Sequence, residues 1–88
     1  MKTTKQDIKY LISCGYCQED ITQIKRAKKV LRLTDEKGKK ITQNKAIEIL
    51  GRENFLSSLG RCAFHWTAYN ENENGEQVFF DASRLFEE

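Results

Sequence analysis

The sequence predicts a small α+β domain in which three or four short helices are followed by a C-terminal β-hairpin. Apolar residues recur at helical spacing from residue 4 to about residue 62, which favours helices there. Beyond that point they alternate, and Asn74-Gly75, a strong signal for a tight turn, lies between aromatic and β-branched residues. The 88 residues suffice for one small core, so we expect a single domain over residues 1–88.

The first helix is predicted to begin after Thr4. The Thr4 side chain can cap the helix N-terminus, and Asp7, three residues further on, can complete a capping box. Gly15 is the expected end, because glycine readily adopts the left-handed conformation that closes many helices. The residues expected to be buried are Ile8, Leu11 and Ile12.

The second helix opens with Glu19 and Asp20 and carries bases in its later turns, an order that the helix dipole favours. We predict that it runs to about Leu33. The alternative is that it ends earlier, and that residues 30–34 and 39–42 form a short hairpin around an Asp-Glu-Lys-Gly turn. Its predicted apolar face consists of Ile21, Ile24, Ala27 and Leu31.

The third helix is predicted to lie between Thr42, which can cap its N-terminus, and Gly51, which can close its C-terminus. Helical spacing turns three of its side chains towards the core. These residues are Ala46, Ile47 and Leu50.

The fourth helix is predicted to begin at Asn54 and to end at Gly60, with Phe64 as the first strand residue. The alternative is that the helix persists to Cys62, which would put Arg61 on it. Both alternatives fit the apolar spacing of this stretch. The apolar residues of its first turns are Phe55, Leu56 and Leu59.

The hairpin is predicted to have a two-residue loop at Asn74-Gly75. This loop would place Tyr69 opposite Phe80 and Thr67 opposite Ala82. Phe79 and Phe80 are neighbours and must point to opposite faces of the strand. One of them therefore lies outside the core, where it is either exposed to solvent or covered by another segment or molecule. The cover would be the C-terminal segment with Leu85 and Phe86, a partner protein or a second copy of the chain.

Charge divides the chain into a basic helical part, residues 1–52, and an acidic part, residues 53–88, with helix four and the aromatic hairpin. The first part holds 13 Lys and Arg against six Asp and Glu, and the second holds two against seven. Such a chain can present a basic face to a polyanion or an acidic face to a basic partner. We expect no membrane span and, because the N-terminus does not resemble a signal peptide, a cytoplasmic location.

Three short helices followed by a hairpin resemble the winged helix-turn-helix superfamily in the order of their elements. The resemblance makes residues 42–50 the supporting helix, residues 54–62 the recognition helix and residues 64–82 the wing. It implies binding to double-stranded DNA. The acidic side chains at the tip of the wing would be repelled by phosphates, so this tip is not expected to enter a groove. They are Glu71, Glu73 and Glu76.

In this interpretation Ser57, Ser58 and Arg61 lie on the exposed side of helix four. There they could address base edges or phosphates. Basic side chains from the rest of the chain would hold the DNA backbone. These are Lys25, Lys28, Lys29, Arg32, Lys39, Lys40, Lys45 and Arg52.

All Cys and His residues of the chain occur as two pairs at the spacing of metal ligands. They are Cys14-x-x-Cys17 and Cys62-x-x-His65, which together would make a structural zinc site with three thiolates and one imidazole. The alternative is that Cys14 and Cys62 are small apolar core residues. Apart from this zinc ion, no cofactor is predicted.

We expect a cytoplasmic DNA-binding accessory protein or transcription regulator. The alternative is a protein-interaction module, an adaptor or inhibitor, that uses the acidic, aromatic hairpin as its contact surface. A second copy of the chain could be the partner, which would make a homodimer. No nucleophile has a local signature and no Gly-rich phosphate loop is present, so neither an enzyme nor a small-molecule substrate is expected. The predicted interface residues are Trp66, Tyr69, Phe79, Phe80 and Phe86.

Overall fold

The computed structural model describes residues 3–87 as four α-helices, a three-stranded antiparallel sheet and a C-terminal 3₁₀ helix. The predicted α+β class, with four helices and a C-terminal hairpin, is confirmed. Within the described residues, no helix has the length and apolar character needed to cross a membrane. In chain order the elements are α1 (Lys5–Ser13), α2 (Gln18–Val30), β1 (Arg32–Asp35), α3 (Gln43–Leu50), α4 (Arg52–His65), β2 (Thr67–Glu71), β3 (Gln77–Asp81) and the 3₁₀ helix (Ser83–Phe86).

The start of α1 is fixed by the predicted capping box. The Asp7 backbone N–H donates to Thr4 Oγ1 at 3.1 Å, and the Thr4 backbone N–H donates to Asp7 Oδ2 at 2.9 Å. Gly15 follows the helix with a φ of 101°, as expected of a left-handed terminator. The expected burial of Ile12 is wrong, since 49% of this residue is exposed. Helix α1 packs mainly against α4, and one neighbouring helix buries only a narrow stripe.

The predicted continuation of α2 to Leu33 is wrong. The helix ends at Val30, and Leu33 lies in β1, where it pairs with Phe80 of β3. The short hairpin of the alternative interpretation exists as a single bridge between Thr34 and Lys40. Helical apolar spacing is overridden because β1 gains a backbone ladder with a strand that lies far along the chain.

Thr42 caps α3 as predicted, because its Oγ1 accepts the backbone N–H of Lys45 at 3.0 Å. Gly51 closes α3 at a φ of 86°, and α4 begins directly after it at Arg52. The predicted start of the fourth helix at Asn54 is therefore two residues late.

Helix α4 continues through Gly60 to His65, so the predicted end at Gly60 and the predicted strand residue Phe64 are both wrong. Gly60 instead allows the Tyr16 side chain to pack closely against α4. An added Cβ there would lie 2.7 Å from the Tyr16 hydroxyl oxygen. The helix ends at Trp66, whose φ is 71°.

The predicted hairpin register is wrong by one residue: Tyr69 pairs with Phe79, and Thr67 pairs with Asp81. The loop is longer than predicted, because the Asn72 N–H donates to the Glu76 carbonyl at 3.0 Å and encloses three residues. Gly75 takes the left-handed position of this loop with a φ of 80°. A one-residue shift exchanges the two faces of a strand.

The core lies between the inner face of the sheet and the helices. Phe80 of β3 is buried against Phe55 of α4, with ring centroids 5.5 Å apart. Helix α4 is the central element and contacts α1, α2, α3, β2 and β3. Seven of its residues are buried: Phe55, Leu56, Ser58, Leu59, Gly60, Cys62 and Ala63.

Candidate functional site

The outer face of the three-stranded sheet turns away from the helical core. Strand pairing aligns its side chains in two rows across the sheet. In the first row, Thr34, Phe79 and Tyr69 follow one another from β1 to β2. In the second row the order is Arg32, Asp81 and Thr67. The bridge to Thr34 brings Lys40 to the β1 edge of the first row. We call these seven residues the open face.

An aromatic pair occupies the centre of the open face. The rings of Tyr69 and Phe79 are stacked, with centroids 5.7 Å apart and an interplanar angle of 23°. Tyr69 is 55% exposed and Phe79 is 40% exposed. A shallow hollow of roughly 430 Å³ runs over the pair and is lined also by Arg32 and Lys40.

Two cations flank the aromatic pair on its β1 side. Within the described residues, neither Arg32 nor Lys40 forms a side-chain hydrogen bond or an ion pair. The Asp81 carboxylate in the row of Arg32 accepts the backbone N–H of Ser83 at 2.8 Å. Hydrogen bonding to Ser83, through its side chain first and its backbone N–H second, lowers the pKa of Asp81, and the nearby Arg32 charge lowers it further. Both cations therefore remain open to a ligand.

Four of the five predicted interface residues are exposed. Besides Tyr69 and Phe79, Trp66 contacts Phe86 with ring centroids 5.8 Å apart, and the two are 58% and 42% exposed. Phe80 is the exception, because the shifted register turns it into the core. The C-terminal 3₁₀ helix lies against α2, so it does not supply the expected cover for Phe79.

The predicted DNA-reading side of α4 is narrower than expected. Arg61 is exposed as predicted, and Ser57 is half-buried. Ser58 is buried, contrary to the prediction, and its hydroxyl accepts a hydrogen bond from Asn70 Nδ2 of β2 at 3.2 Å. Helix α1 and the segment after it pack along the neighbouring side of α4, where Tyr16 covers Gly60.

Arg52, a predicted phosphate contact, holds α1 and α4 together. Its Nε donates to Asp7 Oδ1 at 2.6 Å and its Nη2 to Asp7 Oδ2 at 2.7 Å. This pairing holds the pKa of the buried Asp7 carboxyl at about 2. Lys28 donates to Thr3 Oγ1 at 2.7 Å, and burial lowers the pKa of Lys28.

The remaining predicted DNA contacts are divided among separate parts of the surface. Lys28 and Lys29 line a hollow with residues 42–44 at the N-terminus of α3. Arg61 lies in another hollow, beside Tyr16. Three further bases lie elsewhere: Lys25 on α2, Lys39 in the turn after β1 and Lys45 beside Glu48 of α3.

The four predicted zinc ligands do not come together. Cys14 and Cys17 are exposed at the two ends of the α1–α2 connection, whereas Cys62 is buried in α4 and donates to the Leu59 carbonyl at 3.3 Å. Burial raises the pKa of Cys62 to about 12, which favours the thiol over the thiolate that zinc requires. His65 is exposed. Across residues 3–87, no three His, Cys, Asp or Glu side chains form a group that could hold a metal ion.

Thr34, Thr67 and Asp81 are the open-face residues that the sequence did not identify as candidates. Thr34 and Arg32 flank Leu33 with the period-two spacing of a half-buried strand, which was the available signal. The prediction that α2 continues to Leu33 overlooks this spacing.

Comparison with protein-family models, with curated proteins and with solved structures finds no match for this chain.

Proposed function

We propose that this protein is a protein-interaction module whose docking surface is the open face of the sheet. The observation that carries the proposal is the stacked Tyr69–Phe79 pair, about half exposed at the centre of a face rimmed by polar and charged side chains. Aromatic residues inside a polar rim are typical of protein interfaces, where such rings contribute much of the binding free energy.

The two rings contribute little to the core of the free protein. They point away from it, whereas Phe80, next to Phe79, is buried against Phe55. Burying an exposed aromatic side chain against a partner removes apolar surface from water, worth roughly 25 cal/mol per Å². A partner can gain this free energy because the two rings remain exposed in the free protein.

The experiment is a selection of phage-displayed random peptides of about 12 residues on the immobilised protein. Selected peptides are then measured against the wild type and the double variant Tyr69→Ser/Phe79→Ser. We expect the variant to bind at least about tenfold more weakly, since loss of a central aromatic anchor commonly costs more than 1 kcal/mol. Phe64→Ser is the matched control, because Phe64 is also an exposed aromatic residue but lies on α4.

Thermal unfolding of each variant separates binding from folding. The proposal requires a folded double variant that has lost peptide binding and a control that has kept it. Equal binding of the selected peptides to the wild type and the double variant would refute it, and so would a selection that enriches no peptide.

We propose binding to double-stranded DNA as the second candidate function. The hollow with Lys28 and Lys29 favours it, because backbone N–H groups at the α3 N-terminus add positive potential beside the two ammonium groups. The winged-helix-like order of α3, α4 and the hairpin supports the same function. The packing of α1 along α4 limits direct base contacts to the strip around Arg61.

The test is a fluorescence anisotropy titration of a labelled DNA duplex at several salt concentrations. We expect affinity to fall steeply with salt, and Lys29→Gln or Arg61→Gln to weaken binding and flatten this dependence. Lys37→Gln, in the turn after β1, is the charge-matched control. Absence of duplex binding at low salt would exclude this candidate.

A further inference from the structure

The open face is electrically asymmetric. Arg32 and Lys40 lie on its β1 side, and its one carboxylate, Asp81, lies beside Arg32 in the central strand β3. The aromatic pair lies in the row of Thr34, on β3 and β2. A ligand that crosses the sheet along this row meets Lys40 first and the two rings next, without passing over a carboxylate.

The cations are held in place by the backbone and remain free to bind. Arg32 is in the ladder opposite Asp81, and the bridge to Thr34 fixes the Lys40 backbone. Within the described residues, neither side chain donates to a protein acceptor. An arginine guanidinium can bind a carboxylate through two parallel hydrogen bonds, and a lysine adds a mobile ammonium.

Strand spacing sets the distance between the cations and the rings. Neighbouring strands lie roughly 5 Å apart, so at the backbone Lys40 is roughly 10 Å from Phe79, two strands away, and roughly 15 Å from Tyr69, three strands away. Side chains on one side of an extended peptide recur every second residue, at roughly 7 and 13 Å. A carboxylate and an apolar side chain two or four residues apart fit this geometry.

We propose that the open face binds a short extended peptide segment in which an acidic residue is followed or preceded, two or four positions away, by an aromatic or aliphatic residue. The carboxylate lies against Arg32 and Lys40, and the apolar side chain packs on Tyr69 and Phe79. This inference rests on the proposed protein-interaction function and specifies the chemistry of the partner. A polynucleotide fits less well, because its regularly repeated phosphates would also lie over Asp81 and Glu71.

The experiment uses defined probes in a Gly/Ser background. The acidic probe carries Asp and Phe two residues apart, the basic probe replaces Asp with Lys, and the polar probe replaces Phe with Ser. Each is titrated into the ¹⁵N-labelled protein and followed by amide chemical shifts. We expect the acidic probe to shift signals of β1 and β3 and to bind at least about tenfold more tightly than either other probe.

Lys40→Glu is expected to reverse the preference, so that the basic probe binds this variant more tightly than the acidic one. Arg32→Gln, which keeps a polar side chain in β1, is a second variant. It should weaken binding of the acidic probe but not of the other two probes. Lys25→Glu, on the exposed side of α2, makes the same charge change away from the open face. It should leave the order of the probes unchanged.

Three results would overturn the inference, and they differ in what they say of the proposed function. Equal binding of the acidic and basic probes at the open face removes the charge preference and leaves the interaction function standing. Tighter binding of a single-stranded oligothymidylate at this face assigns it to nucleic acid instead. If no probe shifts the open face and the phage selection also fails, both proposals fall.

Discussion

Trp66 adopts a backbone conformation that a bulky residue rarely adopts. Among the described residues, Trp66 is the only non-glycine residue with a positive φ, which is 71°. Such a conformation costs of the order of 1–3 kcal/mol. The surrounding structure maintains it, because the Trp66 carbonyl accepts the Ala82 N–H at 2.8 Å and its ring packs on Phe86. The junction of α4 and β2 therefore combines backbone strain with tertiary contacts.

We expect Trp66→Gly to be more stable than Trp66→Ala by about 1 kcal/mol, because both lose the indole but only glycine relieves the strain. This order is the reverse of that at ordinary helix and strand positions. Urea unfolding followed by far-UV circular dichroism measures the difference. An alanine variant as stable as the glycine variant would mean that the junction relaxes.

At the same scale, the aromatic residues of the candidate site were predictable as a group but not individually. Alternation requires Phe79 and Phe80 to face opposite sides, yet the choice between them depends on the length of the hairpin loop. Asn72 fixes that length: its backbone N–H donates to the Glu76 carbonyl, and its side-chain Oδ1 accepts the backbone N–H groups of Asn74 and Glu76. Phe79 is therefore an open-face residue and Phe80 a core residue.

At the scale of elements, Gly60 lets the α1–α2 connection lie directly on α4. The Tyr16 ring occupies the space that a side chain at position 60 would need, and it stacks on Phe64 with ring centroids 6.1 Å apart. Glycine inside a helix costs roughly 1 kcal/mol relative to alanine. The close approach of Tyr16 offsets this cost.

We expect Gly60→Ala to destabilise the wild type and to stabilise the Tyr16→Ala background by about 1 kcal/mol. In the wild type the new methyl group displaces the Tyr16 ring, whereas in the background only the gain in helix propensity remains. A double-mutant cycle from urea unfolding gives the coupling. The same effect of Gly60→Ala in both backgrounds would show that Tyr16 does not depend on the glycine.

Local signals in the sequence predicted the helix starts of α1 and α3, and long-range pairing explains what was missed. The caps at Thr4 and Thr42 and the glycine at position 51 act within a few residues, so their effects can be seen in the sequence. Strand β1 forms because it pairs with β3, more than 40 residues along the chain. Arg32 and Lys40 join the aromatic pair only through that pairing, so sequence patterns identified them as bases but not as open-face residues.

At the scale of the whole molecule, one ion pair ties the first helix to the central one. Asp7 is 2% exposed, and its carboxylate accepts hydrogen bonds both from the Thr4 backbone N–H at the α1 cap and from the Arg52 guanidinium. The Arg52 hydrogen bonds are the main reason why the pKa of Asp7 falls from 3.8 to about 2. Formation of α1 and its attachment to α4 are thus coupled through one carboxylate.

This coupling predicts how the stability of the domain depends on pH. A folded pKa below the unfolded value stabilises the protein above pH 3.8, and the contribution is lost as pH falls towards 2. The shift corresponds to roughly 2 kcal/mol. We expect the wild type to lose that much more stability than Asp7→Asn between pH 5 and pH 2, measured by urea unfolding at each pH. Glu73→Gln, at the exposed hairpin tip, is the control and should retain the wild-type pH dependence. If the unfolding free energies of the wild type and Asp7→Asn fall in parallel with pH, this ion pair contributes no pH-dependent stability.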